Sequence, residues 1–133
     1  MGDVKLRLYI PPRPVEVKYL LFRVKSWSTV SRQACKDLDV KEGSKILFYQ
    51  DEVHEENWYV CVKPPHNDSI GFVAKKHFNK ESKYMVFYAK TLAAHLKEQF
   101  KVKSPTFKVL LGQGTQLNGD MCYPLLIEKD QSK

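Results

Sequence analysis

The sequence predicts an α+β fold, a small and mainly antiparallel β barrel or sheet with two short helices, in which the order of elements suggests two tandem βαββ units. Three observations lead there. Residues 4–10 alternate with period two, and further short runs rich in Val, Leu, Ile, Tyr and Phe recur between turn residues. Only two segments carry helical spacing, at residues 30–38 and 91–100. The order of strands, helix and turns recurs in two stretches, 20–63 and 84–129. A chain of 133 residues fits a single domain, 1–133, and can bury a core without staples.

The elements follow in order. Val4, Leu6, Leu8 and Ile10 alternate with Lys5, Arg7 and Tyr9 as a half-buried strand does, and Pro11-Pro12-Arg13-Pro14 ends it. Val15 to Val24 is a second strand, rich in Val, Tyr, Leu and Phe. Ser28, Thr29 and Ser31 offer N-caps to a short helix with Val30, Ala34 and Leu38 on one face. The run from Asp37 to Gly43 is the helix exit and a tight turn. Lys45 to Tyr49 and Trp58 to Val62 are strands around a polar connection. After the loop at Pro64 to Ser69, Ile70 to Ala74 is a short strand and Lys75 to Lys83 a basic connection. Tyr84 to Tyr88 is a strand, and Thr91 to Phe100 is a helix with Leu92, Leu96 and Phe100 as its apolar stripe. Phe107 to Leu111 and Met121 to Ile127 are the closing strands, and Gly112-Gln113-Gly114 and Asn118-Gly119-Asp120 are turn chemistry. Trp27, Tyr49, Trp58 and Tyr84 are expected in the core.

A shift of 58 sets Val30 on Tyr88, Ala34 on Leu92 and Leu38 on Leu96. The next strands need about three more residues in the second copy, so that Ile46 and Phe48 fall on Phe107 and Val109. The stretch Leu38-Asp39-Val40-Lys41-Glu42-Gly43-Ser44-Lys45-Ile46 resembles the turn and following strand of the AbrB/SpoVT-type swapped-hairpin transition-state regulators. That family shows a Leu-Gly-Val-Lys-Glu-Gly-Asp-like turn before a strand beginning Lys-Ile or Lys-Val. Val30-Ser31 stands here in place of its Ile-Pro, and Ser44 in place of its Asp. The resemblance implies two βαββ units interdigitated into one barrel, ordinarily as a homodimer and here from one chain. It also implies duplex DNA as partner and a role in transcription regulation.

Charge points the same way. The formal net charge is +7. Residues 1–65 carry 11 Lys and Arg against 9 Asp and Glu, and residues 66–133 carry 11 against 6. Between Lys75 and Lys108 nine lysines face only Glu81 and Glu98. A basic excess suits nucleic acid, whose phosphates are neutralised by such side chains with release of counterions. The candidate nucleic-acid-binding residues are Arg23, Lys25, Arg32, Lys36, Lys75, Lys76 and Lys90, which surround the two helix starts. Arg32 and Lys36, four apart, share one helix face.

Catalytic and metal chemistry find no motif. Cys35, Cys61 and Cys122 are odd in number and widely spaced, so a disulfide framework is not expected. Each lies in an apolar stretch as a buried free thiol, which implies a reducing, cytoplasmic compartment. His54, His66, His77 and His95 form no zinc-ligand spacing with them. Gly112-Gln113-Gly114 lacks the frame of a phosphate loop. Asp51, Glu52, Glu55 and Glu56 belong to a solvated connection. No catalytic site, cofactor or metal is expected. Residues 1–10 show no secretion-type apolar run, and no stretch approaches the roughly 18 apolar residues of a membrane span. A non-catalytic protein-interaction or structural module is the alternative to nucleic-acid binding, with Trp27, Tyr49, Trp58 and Tyr84 as its surface should they be exposed rather than core.

Overall fold

The computed structural model describes residues 17–67, 70–77 and 84–127, together with Leu6 and Leu8. Its elements are, in order, β1 (Tyr19–Arg23), β2 (Ser28–Val30), α1 (Arg32–Asp37), β3 (Lys45–Gln50), β4 (Trp58–Lys63), β5 (Phe72–Val73), β6 (Lys75–Lys76), β7 (Met85–Phe87), α2 (Lys90–Gln99), β8 (Thr106–Leu111), β9 (Thr115–Leu117) and β10 (Asp120–Leu126).

Hydrogen bonding joins the strands in the order β5-β3-β4-β10-β8-β1-β2-β7-β6, with β9 added to β10. Only Ala74 separates β5 from β6 in the chain, so the two ends of that order are one run of backbone. The Ala74 N–H donates to the Ser44 carbonyl, and the Ala74 carbonyl accepts from the Gly43 N–H, both at 2.8 Å. The result is a nearly closed antiparallel barrel with two helices, in keeping with the α+β barrel or sheet expected from the sequence.

The pairings come in matched sets. β1 pairs with β2 and β6 with β7. The hairpin β3–β4 has its counterpart in β8 and β10. β1 adds to β8, while β5 adds to β3. Thus β1 extends the β8–β10 pair and β5 extends the β3–β4 hairpin, and β2–β7 and β4–β10 join strands from the two parts of the chain directly. The part equivalent to β1 is β5 and β6, which precede Tyr84.

Strand parity builds the interior. In β8, Phe107, Val109 and Leu111 are buried while Thr106, Lys108 and Leu110 are exposed. In β1, Leu20 and Phe22 point inward. Phe22 is the hub of the core. Its ring lies 5.5 Å from Phe107, 5.9 Å from Phe87 and 5.9 Å from Phe48. These partners come from three strands of both halves, so the core forms only when the halves combine.

The helices are set by local chemistry. Ser31 is the N-cap of α1; its Oγ accepts from the Ala34 N–H at 3.2 Å and the Tyr19 N–H at 3.0 Å, and donates to the Val17 carbonyl. Both helices end alike. Asp39 and Lys101 take φ of 53° and 55°, and the amides of Val40 and Val102 then reach back to the carbonyls of Cys35 and Lys97, each at 2.9 Å. This is the six-to-one closure that satisfies orphan carbonyls at a helix end. It matches Leu38 with Phe100, because α2 has 10 residues and α1 has 6. The helix starts lie 58 residues apart and the helix exits 62, so α2 is longer than α1 by about one turn.

Several expectations need correction. The strand expected at Val4–Ile10 falls outside the described residues apart from Leu6 and Leu8, which are exposed and in no strand. The following strand begins at Tyr19 among the described residues. Ser28 and Thr29 lie in β2 and only Ser31 caps. Lys75 and Lys76 form a strand rather than a connection, because the barrel seam needs their backbone groups and not their side chains. The strand β9 carries three exposed residues and therefore no apolar signal. Trp58 is buried as expected, whereas Trp27, Tyr49 and Tyr84 are exposed. Leu92 is only partly buried, while Val30, Ala34, Leu38, Leu96 and Phe100 are core.

Candidate nucleic-acid interface

The outward parity of β8, β1, β2, β7 and β6 makes one face of the barrel, with Leu21, Thr29 and Val86 along its middle and basic residues around them. Register places Leu21 opposite Lys108 and Thr29, and Thr29 opposite Val86. Val86 in turn lies opposite Lys75. These five strands contain Arg23, Lys75, Lys76 and Lys108 and no carboxylate. The acidic side chains gather elsewhere: Asp51, Glu52 and Asp120 line a separate hollow of about 550 Å³ beside β3 and β4. Asp120 is paired with Lys63 there. The Asp51 carboxylate accepts the amides of His54 and Val53, which lowers its proton affinity and ties its turn.

The centre of the basic face is a cleft of about 500 Å³ lined by Arg23, Trp27, Lys75, Lys76, His77 and Val86, among others. Its floor comes from the sheet and one wall from the β1–β2 turn. The Arg23 guanidinium fastens that wall: Nη1 donates to the Trp27 carbonyl at 3.1 Å and to Thr29 Oγ1 at 2.6 Å. The Arg23 N–H also donates to Ser28 Oγ at 3.1 Å. Trp27 stands edge-on to Tyr88, with ring centroids 5.2 Å apart. Lys75 Nζ lies 6.0 Å from the Trp27 ring and Lys90 Nζ lies 5.9 Å from the Tyr88 ring. Cations and aromatic rings thus alternate across the wall.

The same texture continues along β7 and onto β8. Tyr84, Val86 and Tyr88 share one parity and span roughly 13 Å at the usual strand rise. At the Tyr84 end is a second hollow, of about 240 Å³, with Tyr19 and Arg32 in its lining. Burial, and then the hydrogen bond and charge of Tyr84, hold the Tyr19 hydroxyl above its ordinary proton affinity. Lys108 Nζ sits 4.4 Å from the Tyr19 ring.

The seven candidate cations therefore divide. Arg23, Lys75 and Lys76 meet in the cleft, and Lys90 adjoins it through Tyr88. Arg32 borders the second hollow. Lys25 is exposed in the β1–β2 turn, and Lys36 is exposed on the last turn of α1. As parts of this face, sequence reasoning missed Tyr88, His77 and Lys108, and it named Trp27 only as an aromatic of the alternative interaction module. Lys108 was legible, since it interrupts the apolar positions of a period-two strand. Trp27 and Tyr88 were not, because a large aromatic at a strand end looks the same whether it faces in or out.

Among the described residues no helix is long and apolar enough to cross a membrane. Among them, too, no three His, Cys, Asp or Glu side chains are disposed to hold a metal ion. The fold and the site define a class: a small α+β barrel carrying a cationic, aromatic face. No protein-family model matches the chain, and no curated protein or solved structure matches it.

Proposed function

We propose that this chain is a non-catalytic nucleic-acid-binding protein that takes DNA on the outer face of β8, β1, β2, β7 and β6. The observation that carries the reading is the convergence of Arg23, Lys75 and Lys76 on one cleft, in strands without a carboxylate. Strand backbone fixes these cations at set spacings, so phosphate contact costs little further ordering. Regulation of transcription is the role that the swapped-hairpin resemblance supplies.

Titration against short duplex and single-stranded DNA at two salt concentrations tests the reading. Binding should weaken steeply with salt, with a log–log slope of about −0.9 per neutralised phosphate for a duplex and about −0.7 for a single strand. Reversal of Lys75 and Lys76 to Glu should abolish most of it while leaving the fold intact, since exposed charges contribute little to stability. Failure to bind either form at low salt would end the reading. A protein-interaction module would then take precedence, on the exposed Leu110 and Leu126, which lie opposite each other across β8 and β10.

A further inference from the structure

The geometry points to single-stranded rather than duplex nucleic acid as the occupant of the basic cleft, with an unpaired base laid against Trp27. This rests on the nucleic-acid reading of the same face and narrows it. A duplex shows a protein its phosphates and groove edges, and its base faces are stacked away. Reading a major groove takes a projecting element, a helix or a two-stranded ribbon that fits a groove about 12 Å wide. The basic residues gathered here instead line a concavity on a sheet, and α1, which carries Arg32 and Lys36, has six residues. A cleft of about 500 Å³ is of the size that encloses a small organic group such as a nucleotide.

The second part of the argument is the aromatic rings. Trp27 and Tyr88 keep 38% and 50% of their surface exposed, although Val30, Met85 and Phe87 of the adjoining strands are buried. The two rings contact each other edge to face, which leaves ring surface turned toward the cleft and solvent. Lysine ammonium groups now lie near both rings. A base stacking on Trp27 would take the place of Lys75 at the ring and release that ammonium to the adjoining phosphate. Cations along the backbone with aromatic platforms between them are the general means of holding single strands. Tyr84, Tyr19 and Lys108 prolong the pattern for a second nucleotide along β7.

The chain has two tryptophans, which makes the test direct. Trp58 is buried, and its indole N–H donates to Gln99 Oε1 at 3.0 Å, so it serves as an internal reference. Oligo-dT and a duplex of equal phosphate content are titrated at low salt while tryptophan emission and binding are followed. The single strand is expected to bind more tightly and to quench the emission. Trp27→Phe should keep most of the affinity and lose the quenching. Trp27→Ala should weaken oligo-dT by between about fivefold and a hundredfold, with duplex binding little changed. Circular dichroism checks that each variant folds, and Trp27→Phe alone suffices should Trp27→Ala not fold. Duplex binding at least as tight as oligo-dT, or oligo-dT binding with Trp27 emission unchanged, overturns the inference and leaves nucleic-acid binding standing. Binding of neither overturns both.

Discussion

Arg23 holds the backbone carbonyl of Trp27 at 3.1 Å, so the first candidate phosphate contact also builds the wall of the cleft. Its guanidinium reaches Thr29 Oγ1 with the same nitrogen. A lysine ammonium would keep the charge and lose the planar geometry of this attachment. Arg23→Lys is therefore expected to weaken oligo-dT binding with the salt slope unchanged. Lys75→Met should instead make the slope shallower by about 0.7, one phosphate's share on a single strand. Slopes measured between low and moderate salt separate a loss of geometry at Arg23 from a loss of charge at Lys75. Equal changes of slope in both variants would contradict the assignment.

The candidate cations should not contribute equally. Lys75 and Lys76 lie in the cleft, while Arg32 borders a neighbouring hollow and Lys36 lies a helical turn farther on. Reversal of Arg32 and Lys36 to Glu is expected to reduce affinity and slope, but by less than reversal of Lys75 and Lys76. Paired titrations of the two double variants check the ranking. The opposite order would move the binding surface onto α1.

The core makes its own prediction. Leu96 is fully buried on α2, within the same cluster as Phe22 and Phe107. Leu96→Ala should cost on the order of 2–5 kcal/mol in denaturant unfolding, as the loss of a buried large side chain does. A much smaller loss would mean that α2 does not pack against the barrel.

The helix exits predict a gain. Asp39 and Lys101 hold positive φ, a region that costs an ordinary L-residue about 1–2 kcal/mol and glycine far less. Part of that gain is offset by the greater freedom of glycine in the unfolded chain. Lys101→Gly should raise stability by about 0.5–1 kcal/mol, and Asp39→Gly by less, since Asp tolerates this conformation better than Lys. Urea midpoints measure both. A fall at Lys101 would show that its side chain contributes more than its backbone costs.

The thiols predict a pH dependence. Continuing the β4–β10 register by one residue sets Cys122 opposite Cys61, and both are buried. Burial, and then the neighbouring Cys122, push the Cys61 thiol up from 9.0 to about 11. The unfolded chain thus loses its proton first as pH rises. This contribution to stability is constant below about pH 9 and is lost between about 9 and 11. At pH 8 the folded protein should resist thiol reagents at Cys61 and Cys122, and label there only on unfolding. Mass spectrometry of labelled native protein checks this. A disulfide or stoichiometric zinc in purified protein would contradict the expectation of three free, unligated thiols.

By itself the sequence determined the α+β class, both helices, and most of the strands that line the core. The physical reason is periodicity: Phe107, Val109 and Leu111, or Ala34 and Leu38, mark one face whatever the chain packs against. It also determined the basic excess of residues 66–133, since charge is countable. Tertiary structure alone decided three further things. Closure of the barrel at Ala74 depends on backbone bonds to Gly43 and Ser44, which are distant in sequence. The exposure of Trp27 and Tyr88 depends on which side of β2 and β7 faces the core, and a strand end does not announce that. The meeting of Arg23 with Lys75 and Lys76 depends on the order β1-β2-β7-β6, because residues some fifty positions apart become neighbours only when their strands are placed side by side.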